Sequence, residues 1–436
     1  MANNFIQNFL QKVTANQNPQ RRDLISEGDP VEKLLQSQND VEVEELTKNE
    51  NYVGINFSPQ LNKKFNRTVA VLYVEAEDNK YRVRGRTDEY IPLDTKLEEP
   101  PILSFSQYIK GHDKTEYLLK MQEFIGLINE FSEYNHEARK ISDWLSNLQE
   151  VLQSKFNEKL QYLAINDKTD FEIPWEMLRF KNSYLGASLI TVRWQDIPNE
   201  DSSGHIPLEF EPTDCSGDII AYTNTKELRN VGSEKTSLEK FKTTSFEDVK
   251  KFLSHLENLK KVNYKISLIF IASHGIWGDD ISQIKFGEIK DTSKNRSLRY
   301  LYGYNFKFFK NSPSIVFMNA CHSGRLLRDK KSKIIPHDYR TGFATLFLKR
   351  GARGVIGILS QVLDEYAAKI TDNFFKEYLN NTELSVAAIL RNIRHEAAKK
   401  LEDDRTDENE LLFISTFMYV YYGNPMTTLQ LTERGE

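Results

Sequence analysis

Cysteine is nearly absent: Cys215 and Cys321 are the only two in 436 residues. Two thiols are too few for a disulfide framework or a cysteine-rich zinc site, so no metal site is expected. No apolar run approaches the roughly 18 residues a membrane-spanning helix needs. Residues 1–13 carry no basic stretch leading into an apolar core, as a secretory signal would. The expectation is a cytoplasmic chain with no membrane contact and with both thiols reduced. Neither sign of charge is in excess: 58 Lys and Arg face 63 Asp and Glu, for a net charge of −5 and a pI near 6.0. Direct binding of nucleic acid is therefore not expected. A phosphate-binding glycine loop, a basic stripe interleaved with aromatics and a repeat of solenoid length are also missing, and no cofactor is implied.

What is present is a large apolar inventory. Hydrophobic residues make up 39% of the chain, with 26 Phe and 20 Tyr, enough for two or three domains with a sizeable core. Residues 1–50 read as a flexible acidic region. It holds one possible short amphipathic helix on Phe5, Ile6, Phe9, Leu10 and Val13, with a frayed terminus as the alternative. Residues 51–156 read as a β-hairpin followed by a helical hairpin, a region suited to regulation or recruitment of a partner. The hairpin joins residues 69–74 to the alternating Tyr81-Arg82-Val83-Arg84. Its row Arg82, Arg84, Arg86 is read as a solvated strand face rather than an anion site. The two helices show apolar stripes on Leu118, Met121, Phe124, Ile125, Ile128 and Phe131, and on Ile141, Trp144, Leu145, Leu148 and Leu152.

From residue 157 to 436 strands alternate with helices. Strands are expected at 160–165, 217–224, 266–272, 314–319 and 354–359. Helices are expected at 245–260, 341–350, 364–380 and 384–401, with a closing apolar run at 411–422. This is the pattern of an α/β fold with a mostly parallel sheet covered on both faces. In such sheets sites gather past the C-terminal ends of strands.

Two strands end in reactive residues: one in Ser273-His274-Gly275, the other in Asn319-Ala320-Cys321-His322-Ser323-Gly324. If these strands are parallel neighbours, His274 and Cys321 stand side by side. An imidazole beside a thiol raises its thiolate fraction and relays protons to a leaving amine. The N–H groups of Gly275 and Cys321 are candidate oxyanion donors. His274 precedes Cys321 by 47 residues, close to the caspase-type order with histidine about 50 residues upstream. Alone, either residue reads as a buried structural side chain. It is the joint order, spacing and strand-end placement that point to a cysteine endopeptidase. His322 is a rival base, though its adjacency to Cys321 points it elsewhere, and Cys215 reads as structural.

These residues resemble the CHAT family, caspase-like peptidases related to separases and more distantly to metacaspases and caspases. The resemblance covers about residues 157–430. It includes Ile173-Pro174-Trp175-Glu176-Met177-Leu178, the two reactive strand ends, Gly351-Ala352-Arg353-Gly354-Val355-Ile356-Gly357, and Tyr422-Gly423-Asn424-Pro425. It implies a caspase-like fold and cysteine peptidase activity, with Pro174-Trp175-Glu176 as scaffold. Where the family often has Trp after the strand Gly357-Ile358-Leu359, Ser360-Gln361 stands here. The resemblance also implies an acidic pocket for a basic side chain before the cut, with Asp364 as the candidate; capping of the helix that follows is the alternative role for Asp364. Metacaspases carry a further aspartate two residues before the cysteine, where this chain has Asn319. The implied partners are a protein substrate and a regulator engaging residues 1–156, in a gated effector of bacterial defence or programmed death. The rival from another class is a catalytically silent adaptor or scaffold on the same fold.

Overall fold

Apolar runs without period-two alternation demand strands covered on both faces, and the computed structural model builds them into a 12-stranded sheet flanked by helices. It describes residues 67–77, 80–87, 93–97, 114–169, 173–198, 205–259, 264–328 and 340–435, all within one unit, Phe57–Glu436. The short helix expected within residues 1–13 and the acidic stretch before residue 50 lie outside the described residues.

In chain order the sheet strands are β1 (Val69–Glu77), β2 (Lys80–Arg86), β3 (Leu93–Leu97), β4 (Tyr162–Asp167), β5 (Ile190–Trp194) and β6 (Thr213–Thr223). They are followed by β7 (Thr243–Phe246), β8 (Ile266–Ala272), β9 (Ile315–Asn319), β10 (Gly354–Ile358), β11 (Tyr419–Gly423) and β12 (Thr427–Leu431). Their spatial order is β7-β6-β8-β9-β10-β11-β5-β4-β1-β2-β3, with β12 beside β6. Pairing is parallel from β7 through β10, antiparallel between β10 and β11, and parallel again through β5, β4 and β1. The expected hairpin is β1–β2, in register from Val71↔Arg86 to Glu77↔Lys80, and it extends the same sheet through β4.

The longer helices are α1 (Lys114–Tyr134), α2 (His136–Phe156), α3 (Val231–Leu238), α4 (Val249–Asn258), α5 (Phe343–Lys349), α6 (Asp364–Asn380), α7 (Val386–Asp403) and α8 (Asp407–Phe417). Among the described residues no helix is long and apolar enough to cross a membrane. The helical hairpin breaks at Asn135, whose side chain accepts from the N–H groups of Glu137 and Ala138, both at 3.0 Å, and so starts α2.

Both faces of the central strands are covered. Phe270 of β8 stands beside Ala221 of β6 in register, and its ring meets Phe317 of β9 and Phe375 of α6. Tyr222, the next residue along β6, points the other way and packs on Phe252 of α4. Every residue of β8 and β9 is consequently buried, which is why neither alternates in sequence. The segment 245–260 divides into β7 and α4, which starts after its cap Asp248. The closing run 411–422 is part helix and part strand, α8 and then β11. Within 411–422 every residue but Leu412 is buried, so hydrophobicity carries no period there. Of the arginine row, Arg82 forms a two-pronged pair with Asp94 at 2.9 and 2.7 Å, and Arg84 pairs with Glu75. These are cross-strand ion pairs rather than bare solvated charges.

The Pro-Trp-Glu segment sits at the heart of this packing. Glu176 is fully buried and receives Nε and Nη2 of Arg193 at 2.9 and 2.6 Å, while Arg193 also donates to the Ile173 carbonyl at 2.9 Å. Trp175 donates its indole N–H to Asp167 at 2.9 Å. The segment thereby ties the ends of β4 and β5 together. A second buried guanidinium, Arg394 of α7, lies close enough to act on Glu176. Removing one member of such a pair strands a charge without solvent. Glu176→Ala should therefore cost about 3–5 kcal/mol of stability. Urea unfolding of the two chains measures it, and a loss below about 1 kcal/mol would refute the anchoring role.

Candidate active site

Parallel pairing of β8 with β9 runs from Leu268↔Ile315 to Ala272↔Asn319. The pairing continues one step further, with the Ser273 N–H donating to the Asn319 carbonyl at 3.2 Å. The residues that follow, His274-Gly275 and Ala320-Cys321, therefore leave the sheet side by side. The approach is closest at Gly275: a Cβ there would lie 1.7 Å from the Cys321 carbonyl oxygen and 2.9 Å from its nitrogen. Only glycine fits. The close contact this glycine permits is with the backbone of Cys321 itself.

The turn carrying Cys321 is held from below. His322 adopts a left-handed conformation, φ 61°, rare for a residue with a Cβ. Its N–H donates to the Ser360 carbonyl at 3.1 Å. Ser323 Oγ donates to the Met318 carbonyl at 2.9 Å and accepts from the Ile358 N–H at 3.0 Å, bridging β9 and β10. Gly324 and Gly357 meet back to back, a Cβ on Gly357 falling 2.7 Å from the Gly324 Cα. The Ser-Gly following the cysteine is thus a fastening. The rival base His322 is buried, and its imidazole, with burial as the first cause and Arg325 the second, is pushed down to about 3.

Cys321 is half-buried, with its sulfur 3.8 Å from the Val362 carbonyl. Burial raises the thiol above its ordinary value, the Asp364 charge adds to the rise, and backbone hydrogen bonds oppose it. His274 has a side chain 30% exposed, with Nε2 3.6 Å from Glu227 Oε2. Burial lowers its proton affinity; Glu227 and Asp364 work against that and Lys290 with it. Histidine and cysteine are therefore both neutral at rest. Cys215 is fully buried and its thiol is pushed up to about 12, chiefly by burial. Among the described residues no group of three or more His, Cys, Asp or Glu is placed to hold a metal ion.

Asp364 acts electrostatically on both His274 and Cys321. It is the first residue of α6, with Leu363 in the cap position, so it does not cap the helix. Its Oδ2 accepts from the N–H groups of Arg229 and Asn230, both at 2.8 Å, and from Asn230 Nδ2 at 3.0 Å. That clamps the loop between β6 and α3. Sequence reasoning missed a second carboxyl. Glu234 of α3 is buried and accepts from Asn319 Nδ2 through Oε1, while its Oε2 has no partner. It stands against the residue two before the cysteine, where the sequence reading saw no charge. Nothing along the chain signals this, because Glu234 and Asn319 lie far apart in sequence and meet only through the fold. Tyr117 of α1 is a further neighbour of the site that lies outside the apolar stripe expected for that helix. Its hydroxyl donates to the Gln361 carbonyl at 3.1 Å, in the segment whose Val362 carbonyl faces the thiol.

Fold and site together define an α/β protein with a histidine and a cysteine at neighbouring strand ends. The CHAT domain family model matches residues 138–413, and the chain belongs to the CHAT domain family. Among solved structures it is similar to Saccharomyces cerevisiae separase in its complex with securin, at 12% identity and a TM-score of 0.44, covering 83% of this chain. The chain spans 30% of the length of that separase. It is also similar to Porphyromonas gingivalis RgpB in the complex of its pro- and mature domains, at 11% identity and a TM-score of 0.40, covering 71% of this chain and 77% of that one. No curated protein matches the sequence.

Glu234 yields a test of the site's electrostatics. Burial, with the Asp364 charge second, pushes its carboxyl up from 4.5 to about 8. Between those values the unfolded chain has released a proton that the folded chain keeps, so this group's contribution to stability falls as pH rises. The slope is at most about 1.4 kcal/mol per pH unit. Glu234→Gln removes the effect. Paired thermal melts across the window should show the variant gaining on the parent as pH rises, and parallel curves would reject the assignment.

Proposed function

We propose that this chain is a cysteine endopeptidase with Cys321 as nucleophile and His274 as general base. The observation that carries the reading is the parallel register ending at Ala272↔Asn319, which brings the backbones of residues 274–275 and 321 together at one strand edge. With both groups neutral at rest, the thiol proton passes to the imidazole as sulfur attacks the scissile carbonyl carbon. Negative charge then collects on the carbonyl oxygen, for which the N–H groups of Gly275 and Cys321 are the proposed donors. The imidazolium next gives its proton to the departing amine. Water, deprotonated by the same imidazole, releases the acyl group from sulfur.

Asp364 is the proposed receiver of a lysine or arginine before the cut. Its carboxylate acts on both members of the pair, and the buried Glu234 is near enough to feel it. Burial is the main cause of the raised thiol, and a basic side chain seated beside Asp364 would cancel the charge that adds to it, so the correct substrate would itself favour the nucleophile. Regulation fits the contact between Tyr117 and Gln361, by which the segment before residue 157 reaches the loop over the thiol. A partner engaging residues 1–156 has a mechanical route to the site there. A gated effector of defence or programmed death, acting in the cytoplasm on a protein substrate, follows from the family resemblance.

Cys321→Ala and His274→Ala should each abolish cleavage of a peptide library while leaving thermal unfolding within about 1 kcal/mol of the parent, since neither side chain fills a closed core. Retained turnover in either variant defeats the reading, and binding of a partner by an inactive parent chain would favour the silent adaptor instead. Iodoacetamide should modify Cys321 and spare Cys215. In a panel varying only the residue before the cut, Lys and Arg should be preferred, and Asp364→Ala should weaken that preference strongly. An Asp364→Ala chain that loses stability but keeps its preference would reduce Asp364 to the clamp on residues 229–230.

A further inference from the structure

One carboxylate at the site has no place in a dyad. Glu227 lies in the loop that follows β6, the strand beside β8, and its side chain is only 6% exposed. A carboxylate buried that far is costly unless hydrogen bonds replace the lost water. Here they do: Oε2 accepts from the Ile289 N–H at 2.7 Å, Oε1 from the Lys290 N–H at 2.9 Å, and Asn224 Nδ2 approaches Oε2 at 3.4 Å. These donors hold the group ionised, its carboxyl below the ordinary range despite the opposing effect of burial.

The donors come from a telling place. Ile289 and Lys290 follow, after Glu288, the short strand Lys285–Gly287, which pairs antiparallel with His274–Ile276 in the register His274↔Gly287. The piece of backbone that positions His274 therefore also positions the carboxylate, and the two side chains share one frame. Within it, Glu227 Oε2 faces His274 Nε2 at 3.6 Å. That is ion-pair reach, longer than a finished hydrogen bond, as resting catalytic contacts often are.

We propose that Glu227 is a positioning residue for His274, completing a Cys321–His274–Glu227 triad. The proposal rests on the peptidase reading and deepens it. A neutral imidazole carries its proton on either nitrogen. A carboxylate beside Nε2 favours the tautomer protonated there and leaves the lone pair on Nδ1, the nitrogen that must take the thiol proton. When Nδ1 has taken that proton, the ring is a cation with Glu227 as its counter-ion. Glu227 itself neither gains nor loses a proton, and Nδ1 passes its proton to the leaving amine. The other charged groups acting on His274 are Asp364 from the start of α6 and Lys290 from the loop that binds Glu227. Asp364 supports the cation and Lys290 opposes it, so Glu227 is the carboxylate aimed at the ring itself.

The test uses the full chain and two readouts. In a Cys321→Ala background with carbon-labelled histidine, the NMR titration of His274 should move to lower pH in Glu227→Gln and return towards the parent in Glu227→Asp, which keeps the charge. In the active chain, Glu227→Gln should lower kcat about 10- to 100-fold with KM little changed, and the pH–rate profile should shift in its acid limb. A purely structural role would lower the melting temperature of both variants without moving the His274 titration, and that result overturns the proposal. So does a Glu227→Gln chain with kcat within about twofold of the parent. A parent chain that cleaves nothing defeats the peptidase reading separately, because the titration is read without turnover and still decides whether Glu227 governs the ring.

Discussion

The parallel pairing of Ile266–Ala272 with Ile315–Asn319 is the constraint on which the site depends. Two chain segments far apart in sequence leave the sheet at the same level only because their registers end together. A slip of one residue would turn every side chain of the moving strand to the opposite face. The register is fixed by burial on both sides, with Phe270 and Phe317 packed against each other and against α6. Beyond the strands the contact tightens until Gly275 lies on the Cys321 backbone with no room for a Cβ. Packing in the core thus sets the geometry of the edge.

The edge is unusual in its charge. Asp364 acts on both the histidine and the cysteine, Glu227 on the histidine, and Glu234 on Asn319 two residues before the cysteine, each held differently. Glu227 is ionised by backbone donors, Glu234 stays protonated by burial, and Asp364 has three donors from one loop. Negative charge opposes a thiolate and supports an imidazolium. For the proposed dyad, that charge opposes the thiolate at rest and stabilises the imidazole once it has been charged.

Away from the edge, charge serves cohesion. The Glu176–Arg193 pair, closed by hydrogen bonds to both oxygens, acts with the adjacent Trp175–Asp167 hydrogen bond to join β5 and β4 where the sheet has already reversed direction at β10–β11. Tyr117 links the helical hairpin to the loop over the thiol, so α1 belongs to the surroundings of the site as well as to the core. Cutting that hydrogen bond would leave one half-buried carbonyl without this donor rather than unfold a domain.

The sequence by itself determined the strands that matter most and the two residues at their ends. Unbroken apolar runs ending in Ser-His-Gly and in Asn-Ala-Cys-His-Ser-Gly are local signals, read without knowing what lies beside them. The hairpin β1–β2 and the helices α1 and α2 were legible for the same reason, since period and turn residues are properties of neighbouring positions. Only the tertiary structure decided which carboxylates attend the site. Glu234 reaches Asn319, and Glu227 reaches His274, across loops whose course no periodicity encodes. The division of residues 411–422 into a helix and a strand also had to wait for the fold, because a segment buried on every side shows no amphipathic period. The family resemblance singled out Asp364 as a pocket candidate, but its clamp on Arg229 and Asn230 depends on where the loop after β6 comes to rest. Local pattern specifies an element and its end; the partners across space follow from packing the sheet.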